Sequence, residues 1–288
     1  GALPAVDSAG EFVYAAHLGG SGAAQTLSVD AWELSTTSSA PSLATLSTGA
    51  LATTQSTLFL SDFAAVSPNG QRAAAGYTEP SNFVDPTPGE VVIAPTAGGS
   101  AQVVSVTGNY DADWLDDDHL VLTGQIGGMT QGVVAFDLSG ALTSRVVLTD
   151  VGVYSGDIAV LRDAGLLLVG GLSAAFTDEL YVCPLSKALA IASGTDSALI
   201  GTDPLLQKLS APSLFKVVQG RDLLVTTTYD AQWNKVYELR PWSLSAGELS
   251  FGTPEPLLSA PLISNVVPVS GGRLLLEHAG GHLLVQLP

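Results

Sequence analysis

Apolar residues along this chain fall into short runs bounded by Gly, Pro, Asn, Asp or Ser, a strand-length rather than helix-length pattern. Two stretches show the unit most clearly. Residues 111–124 read DADWLDDDHLVLTG, and residues 157–170 read DIAVLRDAGLLLVG. Both hold an Asp, then Leu-x-Asp, then Leu-x-Leu-x-Gly at the same offsets, 46 residues apart. Weaker copies lie at residues 3–16 (LPAVDSAGEFVYAA), 63–76, 214–227 and 265–278. In each, an apolar run, a short polar turn and a second apolar run predict a β-hairpin. Val6, Val66, Trp114, Val160, Val217 and Pro268 hold one equivalent place, spaced 60, 48, 46, 57 and 51 residues apart.

A third apolar run follows each hairpin, for example GVVAFDLS (132–139), ELYVCPLS (179–186) and KVYELRPW (235–242). A fourth, weaker run usually comes next, as in SRVVLT (144–149). Helical periodicity is scarcely visible. Small sheets recurring about every 50 residues predict an all-β fold, a six-bladed β-propeller of four-stranded antiparallel blades. One domain, residues 1–288, divides into blades at approximately 1–58, 59–108, 109–151, 152–208, 209–260 and 261–288. Seven blades is the alternative, because residues 35–60 hold spare material. A lone blade cannot bury both of its apolar faces, and radial stacking covers each with a neighbour. The last run, HLLVQLP, is the third strand of its blade. The final blade is thus expected to have three strands, or to borrow a fourth from an N-terminal segment.

Composition narrows the function classes. Hydrophobic residues make up 46% of the 288, so a large core is available. Acids outnumber bases 27 to 10, for a formal charge of −17. Such a surface repels phosphate backbones and anionic lipid, which excludes nucleic acid and leaves cations and basic polypeptides as partners. The single Cys183 excludes an intrachain disulfide and any multi-cysteine metal site. No run approaches the ~20 apolar residues of a membrane span, so membrane insertion is not expected. The start Gly-Ala-Leu-Pro, without Met, is read as the product of a removed leader. The expected location is periplasmic or extracellular, as a secreted chain or a lipoprotein anchored through that segment.

SPNGQRAAAGY (67–77) followed by EVVIAPTAGG (90–99) resembles the TolB-type propeller repeat. Ser67, Pro68, Asn69 and Gly70 match its turn, Gly98 and Gly99 its second motif, and Trp114 with Asp117 the next copy. The likeness covers residues 60–150. It implies the fold, and a class that includes protein-binding scaffolds and the gating domains of certain serine peptidases.

The fold sorts the loops into two faces. Turns inside the hairpins are short and rich in Asp, Asn and Gly, including Asp116-Asp117-Asp118, and read as turn chemistry. Loops between second and third strands are richer. They carry Tyr77, Glu79, Phe83, Asp85, Met129, Phe176, Asp178, Tyr229, Asp230 and Trp233. Aromatics among acids mark a contact surface for a peptide, protein or sugar rather than a reaction centre, with each ring sealing its own blade as the competing account. Asp111 and Asp157 start inner strands, with Asn265 in the matching place. This trio could hold a calcium ion or grip a basic side chain at the mouth of the central channel.

Motif chemistry is sparse. No Gly-x-Ser-x-Gly elbow, phosphate loop or dinucleotide fingerprint occurs. His278 and His282 flank Ala-Gly-Gly across a turn rather than on a helix. With Glu277 they could bind a transition metal, and His17 heads a comparable loop in the first blade, but no further ligand is in sight. Cys183 sits in an apolar strand as a buried thiol. The expected function is a monomeric, non-catalytic binding or scaffold propeller without a cofactor. A calcium-dependent hydrolase or lactonase using channel-mouth carboxylates is the alternative. A regulatory propeller detached from a larger peptidase is a third reading.

Overall fold

The structure, a computed structural model, describes residues 5–6, 12–19, 26–33, 43–50, 59–78, 88–107, 111–127, 130–218, 220–258, 263–269, 271–278 and 281–287. Each hairpin read from the apolar pattern forms. Val6 pairs with Val13, Val66 with Ala73 and Trp114 with Leu120. Val160 pairs with Leu167, Val217 with Leu224 and Pro268 with Leu274. The partner lies seven residues on in four of the hairpins and six on for Trp114 and Pro268, so the repeat fixes the hairpin but not its register to the residue.

Blade 1 comprises β1 (Ala5–Val6), β2 (Phe12–Gly19), β3 (Thr26–Glu33) and β4 (Leu43–Ala50). Blade 2 comprises β5 (Phe59–Val66), β6 (Arg72–Thr78), β7 (Pro88–Pro95) and β8 (Gln102–Thr107). Blade 3 is built from β9 (Ala112–Trp114), β10 (His119–Gly127), β11 (Thr130–Asp137) and β12 (Thr143–Thr149). Blade 4 begins with β13 (Tyr154–Leu161), β14 (Leu166–Leu172) and β15 (Asp178–Pro184). A helix, α1 (Leu185–Ala192), and a short strand, β16 (Leu199–Ile200), then precede its fourth strand, β17 (Gln207–Leu209). Blade 5 comprises β18 (Leu214–Val218), β19 (Leu223–Tyr229), β20 (Lys235–Ser245), β21 (Glu248–Phe251) and β22 (Glu255–Leu258). The last sheet comprises β23 (Ile263–Val269), β24 (Arg273–His278) and β25 (Gly281–Gln286).

This is an all-β propeller, but the expected six blades of four antiparallel strands, or seven, are corrected to five. Five sheets reach four or more strands, whereas β23–β25 stops at three among the described residues. Counting hairpins overestimates blades because a hairpin does not reveal whether a fourth strand joins it. Within 35–60 the described residues are β4 and the beginning of β5. Strand composition also varies. β16 leaves its own blade and pairs parallel with β12 of blade 3, Leu148 against Leu199. In blade 5 the long β20 pairs with β21 at one end and β22 at the other.

The helix is a second departure from the expected pattern. LSKALAIA is rich in good helix formers, and Pro184, the last residue of β15, has no N–H with which to carry the ladder further. It buries Ala188, Ile191 and Ala192, an i, i+3, i+4 face, in the core shared by blades 3 and 4.

The core lies between sheets. Along β14, Leu167 and Val169 join the cluster shared with blade 3, while Leu166 and Leu168 join the one shared with blade 5. Successive side chains of a strand point to opposite faces, so a strand covered on both sides is apolar at every position. Burying one such leucine contributes about 1.5–3 kcal/mol. Trp114, fully buried between blades 2 and 3, does the same at the next interface.

Close approach of the blades explains the Gly170-Gly171 pair. A Cβ at Gly170 would lie 2.0 Å from the Ser213 carbonyl oxygen, and one at Gly171 1.9 Å from that of Val151. The flanking connections therefore press on the end of β14 from either side. Gly170→Ala or Gly171→Ala is expected to cost about 1–3 kcal/mol in denaturant unfolding. Gly140→Ala, with open space around it, should stay within about 0.5 kcal/mol of wild type.

Candidate functional site

The hairpin-turn end of the propeller is occupied by structural contacts. Asp116 Oδ1 accepts the N–H groups of Asp118 and His119 at 2.9 and 2.8 Å, closing its own turn. Asp117 Oδ1 accepts Asn69 N–H at 2.8 Å, and Arg72 reaches both the Asp117 carbonyl and the Asp118 carboxylate. The Asp116–Asp118 run thus closes a turn and staples blade 2 to blade 3. Arg162 does the same one blade on, donating to the carbonyls of Leu115 and Trp114.

At the opposite end of the inner strands the structure brings Asp111 and Asp157 together through a residue the sequence pattern did not single out, Lys216 of β18. Its Nζ lies 3.0 Å from Asp111 Oδ2 and 3.7 Å from Asp157 Oδ1. The same carboxylates cap neighbouring blades: Asp111 Oδ2 accepts Ile158 N–H at 3.1 Å, and Asp157 Oδ2 accepts Phe215 N–H at 2.8 Å. Asp113 repeats the device, accepting Val160 N–H at 2.8 Å. Burial pushes the Asp113 pKa up, against the opposing charge of Arg162 and the N–H donors of Val160 and Trp114. The carboxylates proposed for a cation therefore already face an ammonium group and backbone donors. Asn265 lies in β23, but its side chain is outside the described residues. Among the described residues no three His, Cys, Asp or Glu side chains cluster in metal-binding fashion.

The loops after β14 and β19, on adjacent blades, share one five-residue turn. In Ser173–Thr177 (SAAFT), Ser173 N–H donates to the Thr177 carbonyl and Phe176 N–H to the Ser173 carbonyl. In Asp230–Asn234 (DAQWN), Asp230 N–H donates to Asn234 and Trp233 N–H to Asp230 in the same way. A side chain at the first position fastens each turn. Ser173 Oγ accepts Ala175 and Thr177 N–H at 3.2 and 3.1 Å, and Asp230 Oδ1 accepts Gln232 and Asn234 N–H at 2.8 and 2.9 Å. Asn234 also donates from Nδ2 to Asp230 Oδ2 at 3.0 Å. These bonds, the Asn234 side chain first, hold the Asp230 pKa below the ordinary carboxylate value.

The fourth position of both turns is an aromatic residue in the left-handed region, Phe176 at φ 57° and Trp233 at φ 63°. Bulky residues pay roughly 1–3 kcal/mol there, which Gly or Asn would largely avoid. Yet the rings do not seal a core: Phe176 is 71% and Trp233 82% exposed. Each stands beside a second exposed ring. Phe176 lies 6.5 Å from Tyr154, and Trp233 6.1 Å from Tyr229, centroid to centroid. Tyr154 was not singled out from the sequence. Aligning SAAFT with DAQWN shows the shared Ala-x-aromatic signal, but Tyr154 is the first residue of β13, paired with Leu172, and lies outside both turns.

The remaining candidates separate. Tyr77 is buried inside blade 2, donating to Glu90 Oε2 at 2.9 Å. Asp178 holds the next blade, accepting Ser213 Oγ at 2.5 Å. Glu79, Phe83, Asp85 and Met129 lie outside the described residues, as do the side chains of His17, Glu277, His278 and His282. A cleft of about 460 Å³ opens between β8 and β10–β12, lined by Leu122, Val134 and Phe136 beneath Ser105, Thr107 and Ser144. Its described lining carries no ionisable group. Cys183 is buried, and burial pushes its thiol up to about 12.

Two predictions follow from these contacts. Lys216→Met leaves two carboxylates facing each other and is expected to cost about 1–3 kcal/mol, part of which Asp111→Asn restores in the double variant. Denaturant unfolding of the four species checks this. The folded thiol should resist iodoacetamide at pH 8 and react once the chain is unfolded in guanidinium. A raised thiol pKa contributes stability below the unfolded value of about 9 that fades as pH climbs toward 12.

No protein-family model matches the sequence, and no curated protein does. Several solved structures resemble it in fold. TolB from Acinetobacter baumannii is 12% identical with a TM-score of 0.52, covering 88% of this chain and 53% of its own. An oligogalacturonate lyase in complex with manganese is 10% identical with a TM-score of 0.56, covering 99% and 76%. A chain of the mitotic checkpoint complex is 11% identical with a TM-score of 0.52, covering 99% and 89%. This chain spans about half the length of the TolB chain it resembles. At these identities the likeness is one of fold, the β-propeller.

Proposed function

We propose that the chain is a non-catalytic binding module taking a protein or peptide partner on the face that carries the Ser173–Thr177 and Asp230–Asn234 turns. The observation that carries this reading is the exposed aromatic residue held in a left-handed conformation at the same place on adjacent blades. The turns are fastened by Ser173 and Asp230, and the ring that each fourth-position aromatic meets within the chain, Tyr154 or Tyr229, is itself exposed. Rings exposed at a cost in stability are best explained by a contact made outside the chain. Such a partner sits on a rigid frame, because the turns extend strands β14, β15, β19 and β20, whose inner parts are buried between blades.

The engagement of Asp111 and Asp157 by Lys216 favours this reading over a calcium-dependent hydrolase. Among the described residues no helix is long and apolar enough to cross a membrane. Together with the acidic, cysteine-poor composition, we propose an exported, monomeric single domain acting in the periplasm or outside the cell.

An array of short random-sequence peptides, probed with wild type and with the Phe176→Ala/Trp233→Ala double variant, tests the proposal. The expected result is a set of peptides retained by wild type whose signal falls about tenfold or more in the variant. Absence of retained peptides, or equal retention by both proteins, would overturn it.

A further inference from the structure

Resting on that proposed function, the chemistry around the two turns also selects the partner. We infer that the aromatic turns of blades 4 and 5 receive cationic side chains, arginine foremost, from an extended basic segment of the partner. Each turn offers an exposed ring beside a second tilted ring, Phe176 with Tyr154 and Trp233 with Tyr229. A guanidinium group stacks over such faces and keeps its N–H groups free for neighbouring acceptors. A negative charge stands at both sites. Asp178, exposed and with Oδ1 taken by Ser213, follows Phe176 by two residues, and Asp230, whose oxygens fasten its own turn, begins the turn that displays Trp233. Asp230 stays anionic well into acid, since its pKa is held low by Asn234.

The nearby cations do not reverse this balance. Lys208 is paired with Glu179 at 2.8 Å, leaving Lys235 as the exposed positive group next to the Asp230–Asn234 turn. Over the whole chain the formal charge of −17 draws basic polypeptides in and repels acidic ones. An anionic or phosphorylated segment would meet like charge at both turns. A neutral sugar stacks on rings and donates its hydroxyls to carboxylates as well, but the net charge of −17 gives it no long-range attraction, whereas a cationic segment gains both.

The test is fluorescence anisotropy of a dye-labelled peptide of alternating Arg and Ser, titrated with the full chain. A matched peptide carrying citrulline for each Arg keeps the shape and removes the charge. The variant is Phe176→Asn with Trp233→Asn, which suits the left-handed turns and changes no charge. The arginine peptide should bind wild type at least tenfold more tightly than it binds the variant, and at least tenfold more tightly than the citrulline peptide binds wild type. The variant should unfold at or above the wild-type temperature, showing that the loss is not one of folding. Equal binding of the arginine peptide to both proteins would reduce the attraction to diffuse charge and overturn the inference. Ring-dependent binding of the citrulline peptide at equal strength would overturn the cationic partner but leave the peptide-binding function standing. Ring-dependent binding of a neutral oligosaccharide, with no arginine-peptide binding, would overturn both.

Discussion

The structure depends on neighbouring sheets covering each other's apolar faces. No sheet of four strands could hide the residues of β14, which are buried from Leu166 through Gly171. Blade 3 covers one side and blade 5 the other, so the stability of each sheet is shared with the next. The residues that look most arbitrary in the sequence follow from this. Gly170 and Gly171 are bare because backbone arrives from both sides. Asp111, Asp113 and Asp157 face the next blade because its inner strand presents N–H groups there. Removing a backbone donor from water is costly unless an acceptor meets it, and these carboxylates are the acceptors.

The same stacking supports an end of the molecule that is not used for packing. The hairpin turns at one end are spent on staples such as Asn69 to Asp117 and Arg162 to the blade 3 carbonyls. At the other end, the loops after β14 and β19 carry rings into solvent on backbones that those rings do not favour. A marginal fold could not hold two such turns, since each draws on a net stability of only about 5–15 kcal/mol. Lys216, reaching to the carboxylates of blades 3 and 4 from blade 5, ties these inner strands together near the axis.

Much of the fold was legible because it rests on local signals. Apolar runs separated by turn residues located the hairpins, and Val66, Trp114, Val160 and Val217 all pair across them, Trp114 with a register one residue shorter than the rest. Phe176, Tyr229 and Trp233 were placed on the loop face by their position after the second strands, but whether each ring seals its own blade was not legible; all three are exposed. The blade count was not legible either, because a fourth strand is decided by pairing across distance. The β23–β24 hairpin reads like the others, yet its sheet has three strands among the described residues, while β17 completes blade 4 only after a helix and a strand lent to blade 3. α1 was hidden by its length, eight residues with three buried positions. Lys216 reads as an interruption in the apolar run LFKVV, and only the radial arrangement shows that it points to Asp111 and Asp157. Tyr77 shows the reverse error of local reading. It follows its strand pattern into a loop by sequence but ends inside the blade against Glu90.

Native-state hydrogen exchange is the most direct test of the claim that mutual coverage holds the molecule together. The account predicts that amides of β10, β14 and β19 exchange at one common slow rate and lose protection together when denaturant is added. Rapid exchange in β14, or protection in β19 that survives the opening of β14, would contradict it.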